Sequence, residues 1–462
     1  MSDVDVVVVG GGIAGLAAAS RLADQGADVL IVEVSNRVGG KLRTHTVGGL
    51  ALEAGAESLL ARRPEGLAVV ERAGRRGDIM HPATTGAGIW LDELRPLPRH
   101  QLLGIPTDLD DRQLANLVGV DAVSAMRTEP DWVSTVTDET VGGVVRRQLG
   151  DAVVDVMVEP LLGGVYAGRA DEISLDMAVP GLLASAQHEG SLVAGARALR
   201  HRSARAVEDA TPAHVFASIR GGLGSLGDSL VAASGLRVRC GVDVVGLEPV
   251  GEEWRVAFAD RTAIDTRAVV VAVPAFAAGH LLRSVAPPVG DLGHELEYAS
   301  VALITTVFER DDVTRLPGGT GFLVPPSTGR LVKAATFVSQ KWQWVRDSAP
   351  DREVLRFSVG RHGDDRGLDL ADADLAQAVL DEVADLLGLV GVPRASDVTR
   401  WERSLPQYRV GHRDRVEQAR YSLPTGIALA GAAWDGVGIP ACIASGWAAA
   451  ATVGAAMGQR TG

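Results

Sequence analysis

Six residues near the start of the chain, Gly10-Gly11-Gly12-Ile13-Ala14-Gly15, have the spacing with which a backbone can hold a phosphate. Gly10 permits a tight turn, Gly12 lets the chain approach a pyrophosphate, and Gly15 lets the following helix pack closely on the preceding strand. Val6 to Val9 read as a parallel strand covered on both faces, Leu16 to Asp24 as a helix, and Asp28 to Val32 as a second strand ending at Glu33. The helix N-terminus would point its unpaired N–H groups at the phosphates, with Ile13, Ala14 and Leu16 beside them. Glu33 is placed to accept hydrogen bonds from a ribose. Strand, glycines, helix, strand and acid together form a complete βαβ dinucleotide-binding unit, which a chance glycine turn would not supply.

The rest of the chain must position that unit. With 462 residues it exceeds the size at which a single core stops growing, so two or three lobes are expected. The net charge of −13 argues against a nucleic-acid groove, which needs a positive surface. Cys240 and Cys442 stand far apart with no metal-ligand spacing, so neither a disulfide framework nor a metal site is indicated, and a reducing cytoplasm is expected. Asp3 and Asp5 occupy the place where a secretory signal would carry basic residues. Residues 436–457 are uncharged and long enough to span a bilayer, but Gly and Ala dominate and Pro440 opens the run, so a buried helix is expected rather than a transmembrane segment. No Ser-His-Asp, metal or paired-carboxylate constellation stands out.

Glu33 is followed by Val34-Ser35-Asn36-Arg37-Val38-Gly39-Gly40-Lys41, which resembles the E-x(3)-R-x-G-G-[RK] extension of flavin amine oxidases, phytoene desaturases and porphyrinogen oxidases. Further stretches narrow the resemblance. Gly55-Ala56-Glu57-Ser58 with Arg62-Arg63-Pro64, Gly104-Ile105-Pro106-Thr107-Asp108, and above all Pro160-Leu161-Leu162-Gly163-Gly164-Val165-Tyr166-Ala167-Gly168 followed by Ser174 are similar to motifs of the bacterial coproporphyrinogen III and protoporphyrinogen oxidases. Residues 216–227, with Arg220-Gly221-Gly222-Leu223, and the strand Val242-Asp243-Val244-Val245 after them resemble that family's second flavin segment, and Leu370 to Leu387 read as a helix. At the far end, Gly431-Ala432-Ala433-Trp434-Asp435-Gly436-Val437-Gly438-Ile439-Pro440 follows an apparent strand, Ile427 to Ala430, and precedes a helix.

The resemblance implies an α/β fold: a discontinuous Rossmann-like FAD-binding domain (residues 1–60, 215–285 and 420–462), a mixed α+β substrate domain (61–95 and 286–419) and a helical lobe (96–214). It implies FAD held at the first glycine turn, at Glu33, Val34, Arg37, Gly39, Gly40 and Lys41, along the loop from Gly55 to Ser58, and at Val244, Trp401, Gly431, Val437, Gly438 and Ile439. A helix N-terminus aimed at flavin N1 and O2 would stabilise the charge that arrives with hydride. The implied activity is oxidation of a porphyrinogen with O2 as acceptor and H2O2 as product, in haem biosynthesis. Coproporphyrinogen III is preferred over protoporphyrinogen IX because the chain resembles the water-soluble type. An acidic enzyme taking a tetra-anion needs local cations, and Arg62 and Arg63 are the candidates.

Trp434 and Ala441 depart from the family's usual residues. Cys442, beside the flavin helix, leaves open a covalent thioether or an inert buried thiol. Weak membrane association, contact with a downstream ferrochelatase and the oligomeric state stay open. An amine oxidase or carotenoid desaturase, and a non-catalytic flavin-fold scaffold, are the competing readings; bound FAD would argue against the scaffold.

Overall fold

The computed structural model describes residues 4–130, 132, 137–208 and 214–459. Residues 1–3, 209–213 and 460–462, which fall at the ends of expected lobes, lie outside them. β1 (Val4–Val9) is an almost unbroken valine run, and all five of its valines are fully or nearly fully buried because helices cover both faces of its sheet. It lies between β2 (Val29–Glu33) and Ala263–Val271, parallel to both; Arg237–Cys240 flanks β2, and Ile427–Leu429 adds a further parallel strand beside Ala263–Val271. Three distant segments thus share one sheet, completed by the antiparallel strands Glu253–Phe258 and Val244–Val250.

α1 (Ile13–Asp24) covers this sheet and packs on the C-terminal helix Ile439–Gln459. The two helices approach so closely that a Cβ on Gly446 would lie 2.2 Å from Ala14 O. By length and composition alone Ile439–Gly458 could cross a bilayer. In this fold its Ile443, Ala449, Ala450 and Val453 belong to the core formed with α1 and the sheet.

The helical lobe centres on α2 (Glu159–Tyr166), which continues a widened π-turn at Val154–Val158. Pro160 lacks an N–H and would clash with the carbonyl four residues earlier in a regular helix, so a wide turn ahead of it is the low-strain solution. The helix stops at Ala167, a non-glycine residue in left-handed conformation (φ 48°), whose carbonyl accepts from His362 N at 2.6 Å.

The second large sheet runs in the order Ala395–Pro406, Tyr298–Glu309, Arg352–Val359, β3 (Val332–Phe337), Gly321–Leu323, Gly88–Trp90, Leu94–Pro96. One face, with Phe322, Ala335, Phe337 and Phe357, packs on Leu375, Val379, Val383 and Leu387 of the helix Asp372–Leu387. The sequence places that helix from Leu370; it begins at Asp372, after a bend, with Asp372 and Asp374 in its first turn. Residues alternating with the core set, Leu323, Ala334, Thr336, Arg356 and Ser358, are only half-buried and point the other way. Leu323 touches α2 at Gly164, and Arg356 reaches the carbonyl of Glu53, so this second face looks toward both other lobes.

Candidate active site

Glu33 ends β2 and braces the first glycine turn. Its Oε2 accepts from Gly11 N at 2.6 Å, and its Oε1 accepts from Ser35 N at 2.9 Å and Ser35 Oγ at 2.7 Å. A carboxylate still has lone pairs for a ribose hydroxyl. Gly12 leads into α1 with extended backbone, no side chain caps the helix, and a Cβ on Gly12 would touch nothing within 4 Å. The leading N–H groups of α1, from Ile13 and Ala14 onward, are therefore left to a ligand. Gly15 is the opposite case, since a Cβ there would sit 2.0 Å from Gly10 O. Leu16 is fully buried, a packing residue behind the turn.

The second glycine pair leans on the first. Gly39 N donates to Gly11 O at 2.8 Å, and Gly40 (φ 56°) is so near that a Cβ would lie 3.2 Å from Gly12 Cα. Arg37 closes this loop by donating to the carbonyls of Val38, Leu42 and Gly40 at 2.9, 3.0 and 2.6 Å. Its guanidinium shapes the loop; Val34 is exposed. Lys41 has no acidic or hydrogen-bonded partner among the described residues. Desolvation by the surrounding protein pulls its pKa down although the side chain stays open to solvent, and the nearby titratable group is Cys442 on the C-terminal helix. Burial in turn pushes Cys442 up to about 11, so its sulfur stays a thiol at neutral pH.

The loop Gly55 to Ser58 lies against Lys41: Ala56 N donates to Lys41 O at 3.1 Å, and a Cβ on Gly55 would collide with that carbonyl. Trp401 packs on Gly55 and donates from Nε1 to Ala54 O at 2.7 Å. The Glu57 side chain turns away into a buried ion pair with both Lys341 and Arg356. The strand expected at Val242 begins at Val244 instead, because Gly241 N and Val242 N donate to Ser35 O and Glu33 O at 2.8 and 3.1 Å. That bond brings Val244, itself buried, to the Glu33 end of the cleft.

From the other terminus, Gly431 (φ 119°) donates to Ser445 Oγ at 2.9 Å and lies beside Ala14. After Val437, Gly438 (φ 100°) opens the C-terminal helix at Ile439, with free space where a Cβ would be. Tyr408 ties this turn to the helical lobe: its hydroxyl donates to Ala432 O while its ring meets Tyr166 edge-on at 5.8 Å. Buried Trp434 packs in the core behind the turn.

Arg62 and Arg63 separate. Arg63 is paired with Glu65 at 2.7 Å, whereas Arg62 has no acidic partner among the described residues, and desolvation together with Arg63 and Arg200 pulls its pKa down. Arg200, from the helix Leu192–Glu208, was not singled out in the sequence, nor were Arg356, Lys341 or Tyr408. Lys341 and Arg356 stand 284 and 299 residues from Glu57, so no local pattern announces them. Among the described residues no group of three or more His, Cys, Asp and Glu side chains is placed to hold a metal.

Glycine turns from both termini, an uncapped helix and the free ammonium of Lys41 fit the diphosphate and isoalloxazine of FAD. The chain matches the flavin-containing amine oxidoreductase family over residues 13–454. It is 34% identical to a coproporphyrinogen III oxidase of Mycobacterium tuberculosis over 458 residues, 94% of each chain, and 31% identical to that of Bacillus subtilis over 460 residues, 96% of each. A solved structure described provisionally as a protoporphyrinogen oxidase, from Exiguobacterium sp. 255-15, superposes with a TM-score of 0.85 at 31% identity, covering 98% of this chain and 99% of that one. A putrescine oxidase variant, at 18% identity and a TM-score of 0.71, covering 98% and 99%, shares the fold. End-to-end matches of this kind join the two glycine turns to one cofactor: the chain belongs to the flavin-containing amine oxidoreductase family, alongside the bacterial coproporphyrinogen III oxidases, and is an FAD-dependent oxidase.

Proposed function

We propose that the chain oxidises coproporphyrinogen III to coproporphyrin III in haem biosynthesis, consuming three O2 and releasing three H2O2 as six electrons and six protons leave the macrocycle. The observation that carries this reading is the near-complete coverage of both chains in the likeness to coproporphyrinogen III oxidases. FAD supplies the hydride acceptor and returns the electrons to O2. The chain's own residues bind, orient and enclose. The N–H groups of α1 and of the C-terminal helix would face negative charge on the cofactor, and Lys41, near Cys442 of that helix, would add a cation.

The half-buried sheet face of Leu323, Ala334, Thr336 and Ser358 offers small side chains against which a flat macrocycle can lie, with α2 and its Val165 along one edge. Arg62, without an acidic partner among the described residues, meets a propionate; Arg63, already paired with Glu65, contributes less. Protoporphyrinogen IX is the second reading, favoured by the description of the Exiguobacterium structure. We place the reaction in the cytoplasm, consistent with two separated free cysteines, Cys240 and Cys442. Weak membrane association and a contact with a downstream ferrochelatase belong to the same proposal.

Purified holoprotein offered each reduced porphyrinogen under air, with porphyrin fluorescence and peroxide followed together, tests the reading. One peroxide per electron pair and a higher kcat/KM for coproporphyrinogen III are expected. Preference for the dicarboxylate would shift the assignment to protoporphyrinogen IX, and no oxidation of either would overturn it.

A further inference from the structure

Two buried cations stand where the helical lobe meets the second sheet, and neither has an acid in contact among the described residues. Lys333 is 5% exposed and has no hydrogen-bonded or ionic side-chain partner among the described residues. It sits at an irregularity of β3, where the pairing with Arg352–Val359 slips between Val332 and Ala334, so its side chain is outside the regular alternation. Arg361 is 6% exposed; its Nη2 donates to Val324 O at 2.6 Å, while its buried Nε has no acceptor. Gly163 of α2 lies beside that Nε, since a Cβ on it would come within 3.8 Å. Val324 joins the two, its N donating to Lys333 O at 2.9 Å while its O accepts from Arg361 Nη2, and the guanidinium there disfavours charge on Lys333.

The carboxylates around them are engaged elsewhere. Asp364 is paired with Arg366 at 2.8 Å, Glu382 accepts from Leu331 N and Val332 N, each at 2.8 Å, and Glu159 accepts from Ala170 N at 2.9 Å. A buried guanidinium with an unused N–H, and an ammonium on a lysine only 5% exposed with no acceptor among the described residues, are costly in an unliganded protein, and an incoming anion offsets both at once. Burial and Arg361 pull Lys333 down to about 7, so an anion would also draw the proton onto it.

We propose that Lys333 and Arg361 form a carboxylate-binding subsite at the α2 edge of the cleft, which takes a propionate of the substrate and favours the substrate with more of them. This rests on the porphyrinogen reading above. Gly163 and Gly164 keep α2 thin where the carboxylate would enter. Arg offers a planar fork and Lys a point charge, a pairing suited to a single carboxylate held from two sides.

The test uses FAD-loaded wild type, Lys333→Met, Lys333→Arg and Arg361→Gln. Lys333→Met should raise KM for coproporphyrinogen III about tenfold with kcat held within about twofold, and should narrow the preference over protoporphyrinogen IX. Lys333→Arg should restore most of the affinity. The melting temperature of Lys333→Met should hold or rise, because a buried unpaired cation is removed, so a loss of affinity cannot be blamed on unfolding. Unchanged KM in both Lys333→Met and Arg361→Gln would overturn the subsite, as would a KM increase that Arg fails to rescue and that tracks a lower melting temperature. If the wild type oxidises neither porphyrinogen, the functional reading fails separately. Coproporphyrin III binding then decides the subsite: weaker binding to Lys333→Met supports it, while equal affinity, or no binding to the wild type, overturns it.

Discussion

Around the glycine turns the charged side chains are mostly taken, for Glu33 accepts from Gly11 and Ser35, Arg37 closes its own loop, and Glu57 is shared by Lys341 and Arg356. Across the cleft, Arg62, Lys333 and Arg361 have no acid in contact among the described residues. The cofactor side recognises charge with backbone N–H groups and helix ends, and uses side chains to keep that backbone in place. On the proposed substrate side, charge would be recognised by side chains left without an acid. Exposed cations such as Arg99 and Arg112 also lack an acidic partner among the described residues, so it is burial, 5% and 6% exposed, that sets Lys333 and Arg361 apart as candidates for binding an anion.

The sharpest way to break this contrast is at Glu57. If its role is to brace, Glu57→Ala strands Lys341 and Arg356 in the interior and should cost about 3 kcal/mol or more of unfolding free energy, read by denaturant titration. A silent substitution would mean that the cradle's ion pairs are dispensable.

A second test concerns His412, buried and kept neutral, which contacts Ala433 O behind the C-terminal glycine turn. Burial pulls its pKa to about 4 from an ordinary 6.5. Because the unfolded chain takes up the proton first, its contribution is present above pH 6.5 and is lost as pH falls to 4, by roughly 3 kcal/mol. Buried Glu53, pushed up to about 7, acts in the opposite sense over part of that range. The readout is therefore the difference in unfolding free energy between wild type and His412→Gln, which should change with pH between 6.5 and 4.

The glycines sharpen the cofactor side. Gly15→Ala should destabilise the fold by about 1 to 3 kcal/mol, since its Cβ meets Gly10 O. Gly12→Val should fold and yet bind FAD at least about tenfold more weakly, because the new side chain fills only the space a ligand would use. Equilibrium dialysis and thermal melting of the apoprotein separate the two outcomes. On the substrate side, Arg62→Ala should raise KM for the porphyrinogen about tenfold, the loss of one charge-assisted hydrogen bond. Arg63→Ala, which removes a residue already satisfied by Glu65, should change KM by less than about threefold. Equal effects would erase the distinction between paired and unpaired arginines.

The chemistry of the backbone was largely legible. A valine run, a glycine spacing and an acid at a strand end act on neighbours within about 25 residues, so β1, the first turn, α1, β2 and Glu33 could be written down in order. Boundaries slipped where a distant bond decided them: Val242 is drawn out of its expected strand by Glu33 O, and the helix expected at Leu370 waits for Asp372. Side-chain roles were less legible. The resemblance implies that Arg37 and Glu57 meet the cofactor; what it does not reveal is that the guanidinium of one donates to three carbonyls of its own loop and the carboxylate of the other pairs with cations nearly 300 residues away. Nothing in the neighbourhood of Lys333 or Arg361 in sequence marks them, because what distinguishes them is a partner they lack.

The sequence by itself determined the local conformations that cradle a dinucleotide, since a glycine's freedom and a helix's open N–H groups depend on residues close along the chain. It also determined the alternation that builds each sheet. The tertiary structure alone decided which charges are neutralised and which are left free, because pairing depends on distances between segments that the fold, and not the order of residues, brings together.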